Sequence, residues 1–374
     1  MTPQEALLTL NALPKVGLKK AKQLLSSFSS PEQIFLANQQ QLERIQGINQ
    51  EVAFIIKKWD TYFDLKQEVS LAEKYNINIC TPHDEVYPQQ LNELYDQPFI
   101  LYYQGKLPDN NQPSISVIGT RASTFYGEQT AKKISYHLGK IGFTIVSGLA
   151  RGIDSMAHQA AIAAQTQTVG IIGSGLCEFY PEESRPIAEK ILTDELGCIV
   201  SEYPLTQKPT RYSFPQRNRL IAAWSLGTLV IESPKKSGSM ITAKQALDLG
   251  KHIFAVPGAI DHPNSTGCHD LIRNGATLVT RAEDIIEDLS PHLQTAISNY
   301  AYATPEVTPV KSSKIRQLNP TQQLIYQQLS SSPIDLDHLI IKTQLEQKTI
   351  LAELMELELL DLAQQQPGNQ FVKL

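Results

Sequence analysis

Short apolar runs and amphipathic stretches alternate along the chain from Leu71 onward. The runs at residues 115–118, 144–147, 168–172, 198–201, 228–231, 252–256 and 277–279 each predict a buried strand. Helical periodicity fills the intervals at 126–141, 152–164, 183–195, 216–224 and 243–249. Strands that alternate with helices predict an α/β fold, an extended Rossmann-like parallel sheet with helices on both faces. The strands run into Gly-containing turns, which puts those turns at the carboxyl ends of the strands. In open parallel sheets that edge holds the ligand.

The flanks follow other patterns. Residues 1–70 are helical, with two similar turns, LPKVGLKKAKQLL from Leu13 and LERIQGINQEVAFII from Leu42, that resemble a helix-hairpin-helix (SAM-like) domain. Backbone N–H groups at such helix starts can face a phosphate, yet Lys19 and Asn49 stand where a second glycine belongs. Eight cations against seven acids leave this region nearly neutral, so packing or partner docking is expected ahead of direct DNA contact. Residues 71–290 form the Rossmann-like domain, and 291–319, rich in Ser, Thr, Pro and Ala, read as a linker. From residue 320 to 374 three helical patterns and a small hairpin resemble a winged helix. Its third helix carries Glu353, Glu356 and Glu358, and the region holds three lysines against seven acids, which favours protein contact or an inhibitory role over DNA binding.

Composition narrows the class. The 374 residues, 41% hydrophobic and 19% charged, suit a folded soluble protein of several domains, and no membrane span or signal peptide is evident. Cys80, Cys177, Cys198 and Cys268 show neither CxxC spacing nor paired histidines. They fit a reducing cytoplasm, with no zinc site and no other metal or cofactor.

Charge then marks one window. The chain carries a net charge of -5, yet between Glu202 and Glu232 there is no acid, while Lys208, Arg211, Arg217 and Arg219 all fall inside. Tyr203, Tyr212 and Phe214 lie among them. Cations neutralise phosphates and release counterions, and an aromatic face stacks a base; a solvated charge run with core aromatics is the alternative. Four turns add backbone. Gly119 and Arg121 follow the first strand, and Gly148 and Gly152 the next, beside Arg151 and Asp154, which can pair with each other and cap the helix. Asp154 and His158 read as structural. Gly173 and Gly175 follow the third strand, but GSGLCE does not complete the GxGxxG fingerprint of a dinucleotide site. Ser237, Gly238 and Ser239, in SPKKSGSMITAK, offer hydroxyls and free N–H groups to a phosphate or form a plain helix cap. Lys236 precedes Gly238 there, so the loop is not a Walker loop.

GTR at 119–121, SGLARGIDSMAH at 147–158, GSGLCEFYP at 173–181, SEYP at 201–204, FPQRNRLIA at 214–222, SGSMITAKQA at 237–246 and FAVPG at 254–258 occur in one order. Together they closely resemble the DNA-processing protein A (DprA, or Smf) family. The resemblance implies a non-catalytic cytoplasmic binder of single-stranded DNA that forms a homodimer. It also implies protection of incoming strands during natural transformation and loading of the RecA recombinase. Arg121, Arg211, Phe214, Arg217 and Arg219 are the positions it implies for the strand, and Lys244 is expected to contact the strand with them. Gly119, Gly148, Gly173, Gly175, Ser237, Gly238 and Ser239 are the expected phosphate-facing turns. A second class, a Rossmann-like hydrolase or transferase of nucleoside monophosphates, stays open, although no carboxylate pair or His/Cys pair stands out at the ligand edge.

Overall fold

Seven helices lead the chain: α1 (Pro3–Ala12), α2 (Leu18–Ser27), α3 (Pro31–Leu36), α4 (Gln39–Glu43), α5 (Gln50–Lys57), α6 (Trp59–Tyr62) and α7 (Leu65–Lys74). Thr2, Asn38, Asn49 and Asp64 cap α1, α4, α5 and α7 by accepting from backbone N–H groups of the first turn. Leu10, Leu24, Ile34, Leu42, Val52 and Ile56 close a core of their own between these helices. The computed structural model describes residues 1–289, 318–330, 333–359, 362–366 and 368–373. The part of the expected linker at 291–317 lies outside the described residues.

Nine strands then form one sheet: β1 (Asn78–Cys80), β2 (Leu101–Gly105), β3 (Ser114–Ile118), β4 (Thr144–Ser147), β5 (Thr168–Ile171), β6 (Gly197–Ser201), β7 (Gly227–Val230), β8 (His252–Ala255) and β9 (Thr277–Leu278). Their order is β1-β2-β6-β5-β4-β3-β7-β8-β9. The seven strands from β3 to β9 are parallel, as the alternating pattern predicts. β1 and β2, which the alternating pattern did not include, add an antiparallel end to the sheet, since β2 pairs antiparallel with β6 and β1 antiparallel with β2. Three-residue β1 is too short to show a period, and β2 follows a proline-broken loop rather than a helix, so neither fits the repeating pattern.

Side chains alternate across the sheet, so both faces need cover. Helices α8 (Phe125–Lys140), α9 (Ile153–Ala164), α10 (Arg185–Thr193), α11 (Ser213–Trp224), α12 (Gly238–Asp248), α13 (Thr266–Arg273) and α14 (Ala282–Asp288) supply it. Ile115, Val117, Ile145 and Leu229 pack under α8, α9 and α14 through Ile134, Ala157, Ala161 and Ile285. Val146, Val169 and Val230 pack under α11, α12 and α13 through Leu220, Ile221, Ala243 and Cys268. Two helices begin earlier than periodicity alone gives: α11 at Ser213 and α12 at Gly238. Pro215, Gly238 and Ser239 look like helix breakers, but the first turn has no intrahelical N–H bonds to lose.

The C-terminal body has α15 (Pro320–Gln328), β10 (Ile334–Asp335), α16 (Leu336–Thr343), α17 (Gln347–Leu359), β11 (Ala363–Gln366) and β12 (Gln370–Lys373), with sheet order β10-β12-β11. This is a winged helix, closed over Ile325, Leu339, Ile350, Leu354, Leu357 and Phe371. Glu353 and Glu356 accept from Asn319 and Gln322 at 3.2 and 2.6 Å, while Leu351 and Met355 on the same helix are exposed. Among the described residues no helix is long and apolar enough to cross a membrane.

Gly197 opens β6 with φ at 138°, and a Cβ there would collide with the carbonyl oxygen of its register partner Thr168. Gly197→Ala is therefore expected to destabilise the protein by more than ~1 kcal/mol, read as a lower midpoint in urea at unchanged slope.

Candidate nucleic-acid interface

From β3 the chain builds the sheet outward through β4, β5 and β6, then crosses back to lay β7 against the other side of β3. The turns after these strands meet at that switch point, where open sheets bind ligands. Thr120 N–H donates to the Glu232 carbonyl at 2.7 Å, and Asn264 Nδ2 donates to the Ala122 carbonyl at 2.9 Å, fixing the turn that carries Arg121. A Cβ on Gly119 would sit 2.8 Å from Ile153 Cβ and 2.9 Å from the Glu232 carbonyl, so this glycine serves the close packing of the two turns.

Arg217 explains the next turn and corrects the expectation that it faces a strand. Its side chain points from α11 into the sheet edge and is only 3% exposed. Nη1 donates to the Gly148 carbonyl at 2.6 Å and to the Ile171 carbonyl. On its other side the same Gly148 donates its N–H to Asp154 Oδ2 at 3.1 Å. Any Cβ at 148 would collide with the guanidinium. Burial raises the Asp154 pKa and lowers that of Arg217 to about 10, and each charge opposes the shift of the other. Asp154 therefore does not pair with Arg151, which bridges Glu183 on the surface.

Arg219 is likewise inward. It is 6% exposed, donates Nε to Asp96 Oδ2 at 2.8 Å and pairs with buried Glu202. Gly175 has its N–H on the Gln207 carbonyl at 2.8 Å, and a Cβ would strike the Pro204 and Leu205 carbonyls. The amides of Gly148 and Gly175, expected to face phosphate, thus have internal partners. In the Ser/Gly loop Ser233, Ser237 and Ser239 bond one another at 2.7 to 2.9 Å, and Ser237 caps α12 by accepting from Met240 N–H. The cap reading describes Ser237, while the Ser239 hydroxyl bonds only its two serine neighbours among the described residues and Gly238 stays exposed with open space around it.

What remains on the surface forms one constellation. Phe214, in the first turn of α11, is half-buried with its ring over Gly173, where a Cβ would lie 3.2 Å from Phe214 Cδ1. Arg121 stands with its guanidinium carbon 5.3 Å from the Phe214 ring centroid. Tyr180, 44% exposed, packs at 5.8 Å from the same ring with the planes tilted by 52°. These three line a cleft of about 190 Å3, floored by Gly148 and Arg217 and edged by Arg151. Arg211 is exposed beside it in sequence, lying 4.8 Å over the Tyr212 ring and donating to its hydroxyl at 2.6 Å. Lys208 and Lys244 are exposed, and neither lines the cleft. Nothing in the sequence marks Tyr180 itself, although its neighbour Pro181 and the preceding Gly-rich turn mark the loop that presents it.

His158, Cys80 and Cys268 are all buried. His158 is fully buried, bonded through Nδ1 to Thr168 Oγ1 at 2.8 Å, and burial with the Arg217 charge drops its pKa to about 3. Burial pushes the Cys80 and Cys268 thiols up to about 12, far from the thiolate a nucleophile needs. Among the described residues no group of three His, Cys, Asp or Glu is placed to hold a metal.

Comparison with known proteins identifies relatives of the whole chain. The family model described as DNA recombination-mediator protein A matches residues 78–290, that of the DprA winged helix domain 309–369, and that of the SAM-like helix-hairpin-helix tandem 7–53. Protein Smf of Synechocystis sp. is 32% identical over 380 residues, covering 95% of each chain. The X-ray structure of DNA processing protein A from Streptococcus pneumoniae is similar with a TM-score of 0.64 at 29% identity, over 78% of this chain and 99% of that one. A structure giving insight into the single-stranded DNA binding mode of DNA processing protein A from Helicobacter pylori is similar with a TM-score of 0.50 at 28% identity, over 60% and 97%.

Removing one partner of a buried ion pair strands the other charge, at a cost of about 3–5 kcal/mol. Arg219→Ala, which leaves Glu202 and Asp96 facing each other, is expected to lose that much in urea unfolding. Arg211→Ala is expected to unfold like the unaltered protein.

Proposed function

The chain belongs to the DNA recombination-mediator protein A family, and on that premise we propose that it binds single-stranded DNA non-catalytically at the Arg121, Tyr180 and Phe214 cleft. The observation that carries this reading is the exposed guanidinium of Arg121 stacked 5.3 Å from the Phe214 ring at the carboxyl edge of the sheet. An exposed cation–π contact contributes only about 0.5–1 kcal/mol, whereas a base stacked on an aromatic ring contributes about 1–3 kcal/mol. An unpaired base therefore displaces Arg121 from the ring, and the freed guanidinium takes the adjoining phosphate in its planar fork. Stacking is tolerant of sequence, and paired bases in a duplex do not offer their faces, so single strands are preferred. Lys208, Arg211 and Lys244 extend the positive field along the backbone path.

Further roles belong to the same reading and rest on the family resemblance. The protein acts in the cytoplasm as a homodimer, shields incoming strands during natural transformation and hands them to the RecA recombinase. No bond-making chemistry is assigned to the cleft, since Asp154 and Glu202 serve buried arginines and His158 is sealed in the core.

A salt titration of fluorescent oligonucleotide binding tests the site. Phe214→Ala is expected to lose about 1–3 kcal/mol of single-strand affinity. Arg121→Ala is expected to flatten the dependence of log K on log salt by about 0.7, one phosphate's worth. Unchanged affinity and slope in both variants, or equal affinity for duplex, overturns the proposal.

A further inference from the structure

Both aromatic walls of the cleft hang from one irregular segment, residues 202–207, that leaves β6. On the Tyr180 side, Gly175 N–H donates to the Gln207 carbonyl at 2.8 Å and Cys177 N–H to the Leu205 carbonyl at 3.0 Å. On the Phe214 side, Tyr203 Oη donates to the Ser213 carbonyl at 3.2 Å and approaches Gln216 Oε1 at 3.1 Å. Thr210 and Ser213 then close the start of α11 through reciprocal bonds, Thr210 N–H to Ser213 Oγ at 3.0 Å and Ser213 N–H to Thr210 Oγ1 at 3.1 Å. The segment has no ladder of its own to hold it.

Arg219 holds it through Glu202 and Ser201 Oγ accepts from Tyr203 N–H, and two further anchors come from the N-terminal helices. Leu205 N–H donates to Glu68 Oε1 at 2.9 Å, and Asn11 Nδ2 donates to the Glu202 carbonyl at 2.9 Å. Glu68 is 2% exposed, and Leu205, itself fully buried, packs in one cluster with Leu8 of α1 and Ala72 of α7. A buried carboxylate is costly unless it is hydrogen-bonded. Docking two apolar helix faces needs no such group, so its presence on a backbone amide of this segment calls for another reason.

We propose that Glu68 and Asn11 are positioning residues, through which the N-terminal helical region sets the spacing of Tyr180 and Phe214 for a stacked base. The inference rests on the single-strand reading of that cleft. Ordering 202–207 in advance removes a cost that binding otherwise carries, since an immobilised loop loses conformational entropy. Neither residue touches the strand.

The test compares Glu68→Ala, Glu68→Gln and Asn11→Ala in the full chain, reading oligonucleotide affinity, its salt slope, and amide hydrogen exchange over residues 203–214 without DNA. Glu68→Ala leaves the buried Leu205 N–H without a partner, and about a 5-fold or greater loss of single-strand affinity is expected. The salt slope stays at the wild-type value because no phosphate contact is removed, and exchange over 203–214 speeds up. Glu68→Gln keeps a carbonyl oxygen for Leu205 and restores both affinity and protection. Asn11→Ala gives the same pattern more weakly, and decides the matter should Glu68→Ala fail to fold. Wild-type affinity and exchange in Glu68→Ala and Asn11→Ala, a changed salt slope, or no rescue by Glu68→Gln overturns the inference. Failure of the wild-type chain to bind single strands counts against the strand reading instead, and the exchange data still report whether the helices hold the segment.

Discussion

A buried guanidinium holds the ligand edge of this protein together. Arg217 reaches from α11 to carbonyls at the ends of two neighbouring strands, and Asp154, which answers its charge, accepts from the N–H of the same glycine whose carbonyl it grips. Removing an ion from water costs several kcal/mol, and only hydrogen bonds and an opposite charge offset it. Glycine at 148 is what lets the guanidinium come that close. Because Phe214 lies three residues before Arg217 on the same helix, the buried anchor also fixes where the aromatic ring emerges.

The acid-free window thus divides by depth. Arg217 and Arg219 turn inward and are answered by Asp154, Glu202 and Asp96, while Lys208 and Arg211 stay in solvent and Arg121 joins them from another turn. Inward charges give the edge its shape, and outward ones give it a field. The division also accounts for the carboxylates and histidine near the edge. Each is spent on structure, which leaves a surface suited to holding an anion and stacking a base. The winged helix, whose third helix exposes Leu351 and Met355 and points two of its glutamates at α15, offers phosphates no comparable welcome.

Much of the architecture was legible because short apolar runs and helical periods report burial directly. All seven parallel strands and the five helices read between them are present, with ends displaced where Pro215, Gly238 and Ser239 sit in first turns. Strands β1 and β2 escaped because they break the alternation. Side-chain direction was the harder matter. A run of arginines states how much charge a segment carries, not which way each points, and the partners that turn Arg219 inward lie at Glu202 and at Asp96, 123 residues away in sequence. Likewise nothing local in α7 marks Glu68 as the partner of Leu205, 137 residues on. Tyr180 stood inside a motif read for its glycines.

Photochemical crosslinking examines the central claim most directly. An oligothymidylate carrying 5-iodouracil is irradiated with the full chain, and the modified residue is identified by peptide mapping. Adducts on Phe214 or Tyr180 are the result predicted by a base stacked at the sheet edge. Adducts confined to the N-terminal helices or to the winged helix, with none in the cleft, would contradict it.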